Sequence, residues 1–121
     1  MSEAKAFTLN DLKNAGGILT GKVVERPVEW KAYDENGKEV THRFAVGIVK
    51  LSVAATERVY TSGEGTSRWA MMVHEAIRLG PKFDQRISYE DACNLDPSLF
   101  TALSEAAASV NPKAEDDEGK G

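Results

Sequence analysis

The sequence predicts an α+β domain in which a small antiparallel β-sheet packs against C-terminal helices. Apolar and polar residues alternate on both sides of the turn-forming stretch Asp34–Lys38, which predicts a β-hairpin over about 22–50. An apolar stripe of helical period follows the hairpin, and two consecutive helix starts follow the stripe. The predicted helices cover about 66–79, 88–94 and 97–110.

Composition restricts the class of protein. The chain has 121 residues, 41% hydrophobic and 28% charged, which is typical of one soluble globular domain. It has no apolar run of the roughly 20 residues that a membrane helix needs, and no secretory signal is visible, so we expect no membrane association. The single cysteine, Cys93, cannot form an internal disulfide, which favours a reducing compartment.

The N-terminal residues, 1–17, are predicted to form a segment separate from the domain. A short helix is expected to begin at Thr8 and to end at Gly16 and Gly17. A helix of this length is not stable without packing. The domain itself is predicted to cover 18–110.

Two registers are open to the hairpin, and the apolar pattern separates them. A two-residue Asn36–Gly37 turn would place Trp30 opposite Arg43 and mix apolar with polar residues on each face. A three-residue loop, 35–37, with a left-handed glycine places Trp30 opposite His42 instead. Because this register keeps one face apolar, we prefer the three-residue loop.

The preferred register makes further pairs across the hairpin. Val28 would lie opposite Phe44 on the apolar face, and Glu29 would lie opposite Arg43 on the polar face. Pro27 cannot donate a ladder hydrogen bond, so it predicts an edge or a break in the first strand.

The middle helix is predicted from residues spaced three and four apart. It would begin at Thr66 or Ser67 and end before Gly80–Pro81. Before this helix, 54–61 could be either a short helix or a loop. The apolar stripe consists of Trp69, Met72, Val73, Ala76 and Ile77, and we expect its tryptophan and methionine in the core.

Two helix starts follow each other near the C-terminus. Ser88 is predicted to cap the first helix, with Asp91 three residues later in a capping box. Asp96 is predicted to cap the second, with Pro97 at the first helical position, where its missing N–H costs nothing. The last helix should bury Leu99, Leu103, Ala106 and Val110.

The tail, 111–121, is predicted to be disordered. It holds four carboxylates and two lysines and has no apolar residue large enough to anchor it. A calcium site is not expected there, since the spacing and the turn glycine of a calcium loop are absent.

No motif predicts catalysis, a metal site or a cofactor. His74 and Glu75 lack a second histidine at the spacing of zinc proteases, and the glycines of 62–67 lack the lysine of a phosphate loop. Cys93 is expected to be a half-buried thiol in a helix. The only site residues that we predict are therefore residues that bind a partner protein, namely Met71, Tyr33 and Trp30. Met71 lies off the apolar stripe, whereas Trp30 fits the core of the sheet better than an exposed position.

Several stretches resemble the tail assembly chaperones of long-tailed, non-contractile bacteriophages. The most specific part is Ile87–Ala92, Ile-Ser-Tyr-Glu-Asp-Ala, followed by Leu95–Leu99, Leu-Asp-Pro-Ser-Leu, and then by Val110–Asn111. Val28–Trp30, Phe44–Val46 and Ala76–Gly80 are similar in a more general way. The resemblance covers roughly 21–111.

The resemblance implies a non-enzymatic role for a phage or prophage protein. Members of this family bind the tape measure protein in the host cytoplasm while the tail tube polymerises, and they are absent from the finished virion. The tail tube subunit and other copies of the chaperone are further partners that the resemblance suggests. A longer product is often made in this family by a ribosomal frameshift, and codons for Glu118–Lys120 that contain a slippery sequence are allowed by the residues.

A small nucleic-acid-binding or regulatory module is the alternative. A hairpin that presents Trp30, Lys31, Tyr33 and Arg43 could stack single-stranded bases. The net charge of −4 and the scattered basic residues make nucleic acid an unfavourable partner.

Overall fold

The computed structural model describes residues 6–61 and 63–111, and it confirms the α+β class. The strands are β1 (Val23–Tyr33), β2 (Glu39–Val49), β3 (Ile77–Leu79) and β4 (Gln85–Arg86). The helices are α1 (Leu9–Asn14), α2 (Val53–Tyr60), α3 (Arg68–Ala76), α4 (Tyr89–Cys93) and α5 (Pro97–Ala108). All strand pairs are antiparallel, and the sheet order is β1-β2-β3-β4.

The hairpin of β1 and β2 has the register expected from its apolar pattern. Trp30 lies opposite His42, and Val28 lies opposite Phe44. These four residues share one face of the sheet because side chains alternate along a strand. The predicted pairing is therefore confirmed.

The turn between β1 and β2 is closed by Asp34. Its amide donates to the carbonyl of Lys38 at 2.9 Å, and its carboxylate accepts from the amides of Asn36 and Lys38, both at 2.9 Å. Gly37 has φ of 80°, the left-handed conformation that a glycine adopts without strain. The three-residue loop is confirmed.

The other face of the hairpin is polar. Arg43 and Glu29 form the expected cross-strand ion pair, with Arg43 Nη2 2.9 Å from Glu29 Oε2. Pro27 lies opposite Ala45 in β1, the edge strand, and β1 continues through it without a break. The edge prediction for Pro27 is thus confirmed, because an outer strand tolerates a missing donor.

The core lies between the apolar face of the sheet and the helices. On the sheet side, Val28, Val46 and Ile48 are buried, and they have the parity predicted from the sequence. On the helix side the buried residues are Ala70, Val73, Ala76, Ala92, Leu103, Ala106 and Ala107. The small alanines let α3 and α5 approach the core closely.

The middle helix ends earlier than predicted. α3 ends at Ala76, and Ile77 has φ −99° and ψ 136°, an extended conformation. Ile77 pairs with Ile48 of β2 and is fully buried. The predicted helix over 66–79 was therefore wrong at its C-terminal end, because β2 offers a free edge to Ile77–Leu79 and the strand pairing overrides the helical spacing.

Most of the ambiguous stretch, 54–60, belongs to a helix, and Thr61 is the C-cap residue of that helix. Ser52 caps α2, and its hydroxyl accepts from the amide of Ala55 at 3.2 Å. Ala55 and Val59, one turn apart, are buried on one side of this helix. Packing of α2 against α3 stabilises a helix that is too short to be stable alone.

Both predicted C-terminal helix starts are confirmed. The Ser88 hydroxyl accepts from the amide of Asp91 at 3.0 Å at the start of α4. The Asp96 carboxylate accepts from the amide of Ser98 at 2.9 Å, and Pro97 is the first residue of α5. Leu99, Leu103, Ala106 and Val110 are all buried or packed against the core, as expected.

The N-terminal helix forms as predicted but is not part of the core. Thr8 and Asp11 make a complete capping box, with bonds of 2.9 and 3.1 Å, and α1 ends before Gly16. No residue of α1 is buried. Within the described ranges, none of the helices has the length and apolar character that crossing a membrane requires.

Asn111, the first residue of the predicted tail, is hydrogen-bonded to the segment after β2 and to its last residue. Asn111 Oδ1 accepts from the amide of Leu51 at 2.7 Å, and Asn111 Nδ2 donates to the carbonyl of Val49 at 3.3 Å. The rest of the predicted disordered tail, 112–121, lies outside the described residues.

Candidate partner-binding surface

Trp69 is exposed, which contradicts the prediction that it belongs to the core. Its side chain keeps 71% of its accessible surface, although Ala70 and Val73 on the same helix are buried. α3 begins at Arg68, so Trp69 lies in the first turn, beyond the edge of the core. Met72, one turn further on, packs against the core as predicted.

Trp69 is held in place by a stacked aromatic partner. Its ring centroid is 5.3 Å from that of Phe100, and the two planes are inclined by 20°. Phe100 is half-buried and packs against the core from the first turn of α5. The tryptophan therefore presents one face to solvent while the other is supported by the domain.

Arg68 immediately precedes Trp69 in α3, and it contacts Tyr60, the last residue of α2. The guanidinium carbon of Arg68 is 5.4 Å from the centre of the Tyr60 ring, a cation–π contact. Tyr60 is 58% exposed. Both residues line a cavity of about 300 Å³ with Thr61, Gly63, Glu64 and Thr66. We call Tyr60, Arg68, Trp69 and Phe100 the Trp69 surface.

A carboxylate lies one helical turn from Phe100 of the Trp69 surface. Asp96 lies one turn before Phe100, whose amide donates to the Asp96 carbonyl at 2.9 Å. Hydrogen bonds from the Ser98 side chain and amide lower the pKa of Asp96, so it stays ionised at neutral pH. The start of α3 is also tied to α4, since the Tyr89 hydroxyl accepts from the amide of Ser67 at 2.8 Å.

Trp30 is half-buried and connects β1 to α5. Its indole N–H donates to the Ser98 hydroxyl at 2.8 Å, and that hydroxyl donates to the Asp96 carboxylate at 2.6 Å. The ring also contacts His42, with 5.1 Å between centroids. Trp30 is therefore tied into the fold by its polar end, which agrees with the preference for a core position.

The three binding candidates from the sequence lie in different places. Trp30 faces α5, whereas Tyr33, three residues later in β1, lies on the opposite face of the hairpin and is 71% exposed. Met71 lies on α3, one turn before Glu75, and is half-buried. They do not form one continuous surface, and each stays a separate prediction.

The nucleic-acid hypothesis needs a hairpin face with both aromatic and basic groups. Lys31, Tyr33 and Arg43 share one face, and Trp30 lies on the other. Arg43 on the first face is paired with the Glu29 carboxylate. The face with Trp30 therefore lacks Arg43, and on the other face the Arg43 charge is already paired. This arrangement does not favour the stacking of bases on Trp30 next to a free Arg43.

Glu75 is buried and accepts two cations. Its carboxylate makes two bonds with Arg58 of α2, at 2.9 and 3.1 Å, and lies 3.4 Å from Arg86 of β4. The Arg58 hydrogen bonds lower the pKa of Glu75 and outweigh its burial, which acts in the opposite direction. This group fastens α2 and β4 to α3, and its carboxylate is occupied by both partners.

The candidate metal ligands among the described residues do not cluster into a metal site. In the part of the chain that the structure describes, no three or more His, Cys, Asp or Glu side chains are arranged to hold a metal ion. His74 Nδ1 is 2.8 Å from the Ile87 carbonyl, which fixes its ring. Cys93 is exposed, so the expectation of a half-buried thiol was wrong; it lies in the last position of a five-residue helix.

Two other surfaces carry apolar groups. In and around α1, the exposed fractions are 55% for Phe7, 60% for Leu9 and 45% for Leu12. A groove of about 370 Å³ separates β1 from α5, with Val28, Ala102 and Ala106 among the residues that line it. The Trp69 surface differs from both because its tryptophan is supported by a stacked ring.

Sequence reasoning missed the parts of the Trp69 surface other than its tryptophan. Phe100 is not among the residues that the last helix was predicted to bury, and Tyr60 lies in the ambiguous stretch 54–61. The available signal was the position of Trp69, which follows the cap residue Ser67 by only two residues. A large side chain so close to a helix start often extends past the core.

In its described residues the chain combines an α+β fold with an exposed tryptophan that is supported by a stacked ring. A family model described as "Phage tail assembly chaperone, TAC" matches residues 10–111. Since this match covers most of the chain, the protein belongs to the phage tail assembly chaperone family. No curated protein and no solved structure matched significantly.

Proposed function

We propose that this tail assembly chaperone binds the tape measure protein of its phage and keeps it soluble while the tail tube assembles around it. The observation that carries the proposal is the family match over residues 10–111. The proposed role is binding without catalysis. It is exerted in the host cytoplasm, and the protein is then left out of the mature virion.

The surface properties of the domain support this role. A long partner with repeated apolar segments exposes many weak sites, and many copies of a small chaperone can cover them without tight binding at each one. An exposed aromatic group such as Trp69 offers such contacts, and the net charge of −4 helps to keep the complex soluble. Contacts with the tail tube subunit and between chaperone copies would strengthen the binding of these copies along the tape measure protein.

A longer product made by frameshifting belongs to the same proposal. The residues Glu118–Lys120 permit a slippery codon sequence beyond the last described residue, Asn111. Mass spectrometry of infected cells would detect peptides that continue past this point in the shifted frame. If only peptides of the short product occur throughout infection, the longer product does not exist.

Co-expression with the tape measure protein of the same phage tests the chaperone function. We expect this protein to raise the soluble fraction of the tape measure protein and to co-purify with it. An unrelated acidic protein of similar size, expressed from the same vector, is the control. Insoluble tape measure protein and no complex, with the short product or an extended one, would contradict the proposal.

A further inference from the structure

We propose that the Trp69 surface is the docking site for an amphipathic helix of the tape measure protein, one whose apolar stripe is flanked by basic residues. This inference rests on the function proposed above and adds to it the contact surface and the chemistry of the segment that is bound.

Trp69 has the properties of an interface anchor. It exposes 71% of its surface, yet Phe100 supports one face of its ring at a centroid distance of 5.3 Å. A side chain fixed before binding loses little rotamer freedom when the partner arrives. Tryptophan is also one of the residue types that dominate binding energy when they become buried in an interface.

The surface fits a helix better than an extended strand. Tyr60, Trp69 and Phe100 come from α2, α3 and α5, so the surface offers side chains rather than the free backbone groups of a sheet edge. The edge strand β1 carries Pro27 and Lys31, which hinder the addition of another strand. A helical partner satisfies its own backbone and needs only side-chain contacts.

Charge complementarity selects basic flanks on the partner. The ionised Asp96 lies one turn from Phe100, and Glu64 lines the cavity beside Tyr60 and Arg68. The guanidinium of Arg68 is turned onto Tyr60. Lysine or arginine residues beside an apolar stripe would therefore meet carboxylates at the edge of the Trp69 surface.

Binding can be followed through Trp69 itself. The chain has two tryptophans, so the Trp30→Phe variant leaves Trp69 as the single indole reporter. This variant is titrated with overlapping fragments of the tape measure protein. We expect a blue shift of its emission with fragments that carry an apolar stripe and basic flanks. No shift with any fragment that the wild-type protein binds would overturn the proposed site.

Substitutions then locate the contact. Trp69→Ala should weaken binding of those fragments about tenfold or more, whereas Val53→Ser, at an apolar residue that is 88% exposed on α2, should change it less than about twofold. Asp96→Asn keeps a capping side chain but removes the charge, so it should weaken binding and flatten its salt dependence. A salt dependence unchanged by Asp96→Asn would contradict the basic flanks.

The outcomes separate this inference from the function on which it rests. If the wild-type protein forms a complex with none of the tape measure fragments, the proposed function itself is contradicted. A complex that survives Trp69→Ala but is lost in Tyr33→Ala would place the contact on the hairpin and overturn the inference alone. If Trp69→Ala instead abolishes self-association of the protein without a partner, the occupant is a second copy, and the tape measure helix is excluded.

Discussion

At the scale of single residues, the position of a side chain within its helix decides whether it is buried. Trp69 and Val73 lie one turn apart on the same stripe of α3, but Trp69 is 71% exposed and Val73 is fully buried. The stripe extends one turn further than the core beneath it. The spacing of apolar residues in a sequence indicates which side of a helix faces the core. It does not indicate how far along the helix the core extends.

The exposure of Trp69 makes its contribution to stability small. We expect Trp69→Ala to change the free energy of unfolding by less than about 1 kcal/mol, as for other surface substitutions, instead of the roughly 3–5 kcal/mol lost when a buried tryptophan is removed. Urea unfolding monitored by circular dichroism measures this difference. A loss in the upper range would show that the ring is buried in solution.

Asp96 should be needed for stability because it caps α5 and receives the Ser98 hydroxyl that in turn binds Trp30. We expect Asp96→Ala to lower the melting temperature, through loss of the cap and of this connection. Asp96→Asn is the matched control, since asparagine also caps well, and it should keep most of the stability. Equal melting temperatures for wild type and Asp96→Ala would show that the helix does not depend on this cap.

At the scale of the elements, local signals predicted the hairpin and the helix starts. The register of β1 and β2 followed from the parity of Val28, Trp30 and Phe44 together with a glycine at the turn. The caps at Ser88 and Asp96 followed from residues within one turn of each other. Each cap is determined within one helical turn, and the register is determined by the turn that joins two consecutive strands.

Elements that depend on distant partners were not predicted. Ile77–Leu79 continues the spacing of a helix, and it becomes β3 because β2, almost thirty residues earlier, provides an edge. The group around Glu75 joins Arg58 and Arg86, which precede and follow it by 17 and 11 residues. No local pattern marks these contacts, and the surface around Trp69 was missed for the same reason.

The Glu75 group gives a test of how three elements are held together. Glu75→Gln removes the charge that both arginines share, so we expect a loss of about 2 kcal/mol in the free energy of unfolding. The loss should be moderate because the two arginines are partly exposed and can be rehydrated. Glu57→Gln, an exposed carboxylate on α2, is the control and should have little effect.

The pH dependence of stability follows from the same carboxylate. Because the folded-state pKa of Glu75 is lowered, its contribution is complete above the unfolded pKa of about 4.3 and is lost as the pH falls through the lower folded value. Glu75→Gln should therefore lose less stability than wild type on acidification through that range. Parallel acid unfolding curves for the two proteins would argue against an ionised, paired Glu75.

At the scale of the whole molecule, the described chain ends in a defined contact. We expect deletion of 112–121 to leave the melting temperature nearly unchanged, since this stretch offers no large apolar residue to the core. Removing Asn111 as well should lower it, because the side chain bonds Leu51 and Val49. Asn111→Ala in the full chain separates the loss of these bonds from the loss of length. Equal melting temperatures for chains ending at Val110 and Asn111 would refute the contribution of the asparagine.

The contact of Asn111 with Val49 also determines where a tether can be attached. Val49 is the last residue of β2, and the hairpin turn lies at the other end of this 11-residue strand, about 35 Å away. A fluorescent protein or a surface linker joined after Asn111 would therefore begin at the far end of the hairpin from Tyr33. If the protein is immobilised through a linker after Asn111, the hairpin turn stays accessible. A fluorescent label in the turn would then report on the end of the hairpin that lies away from the attachment point.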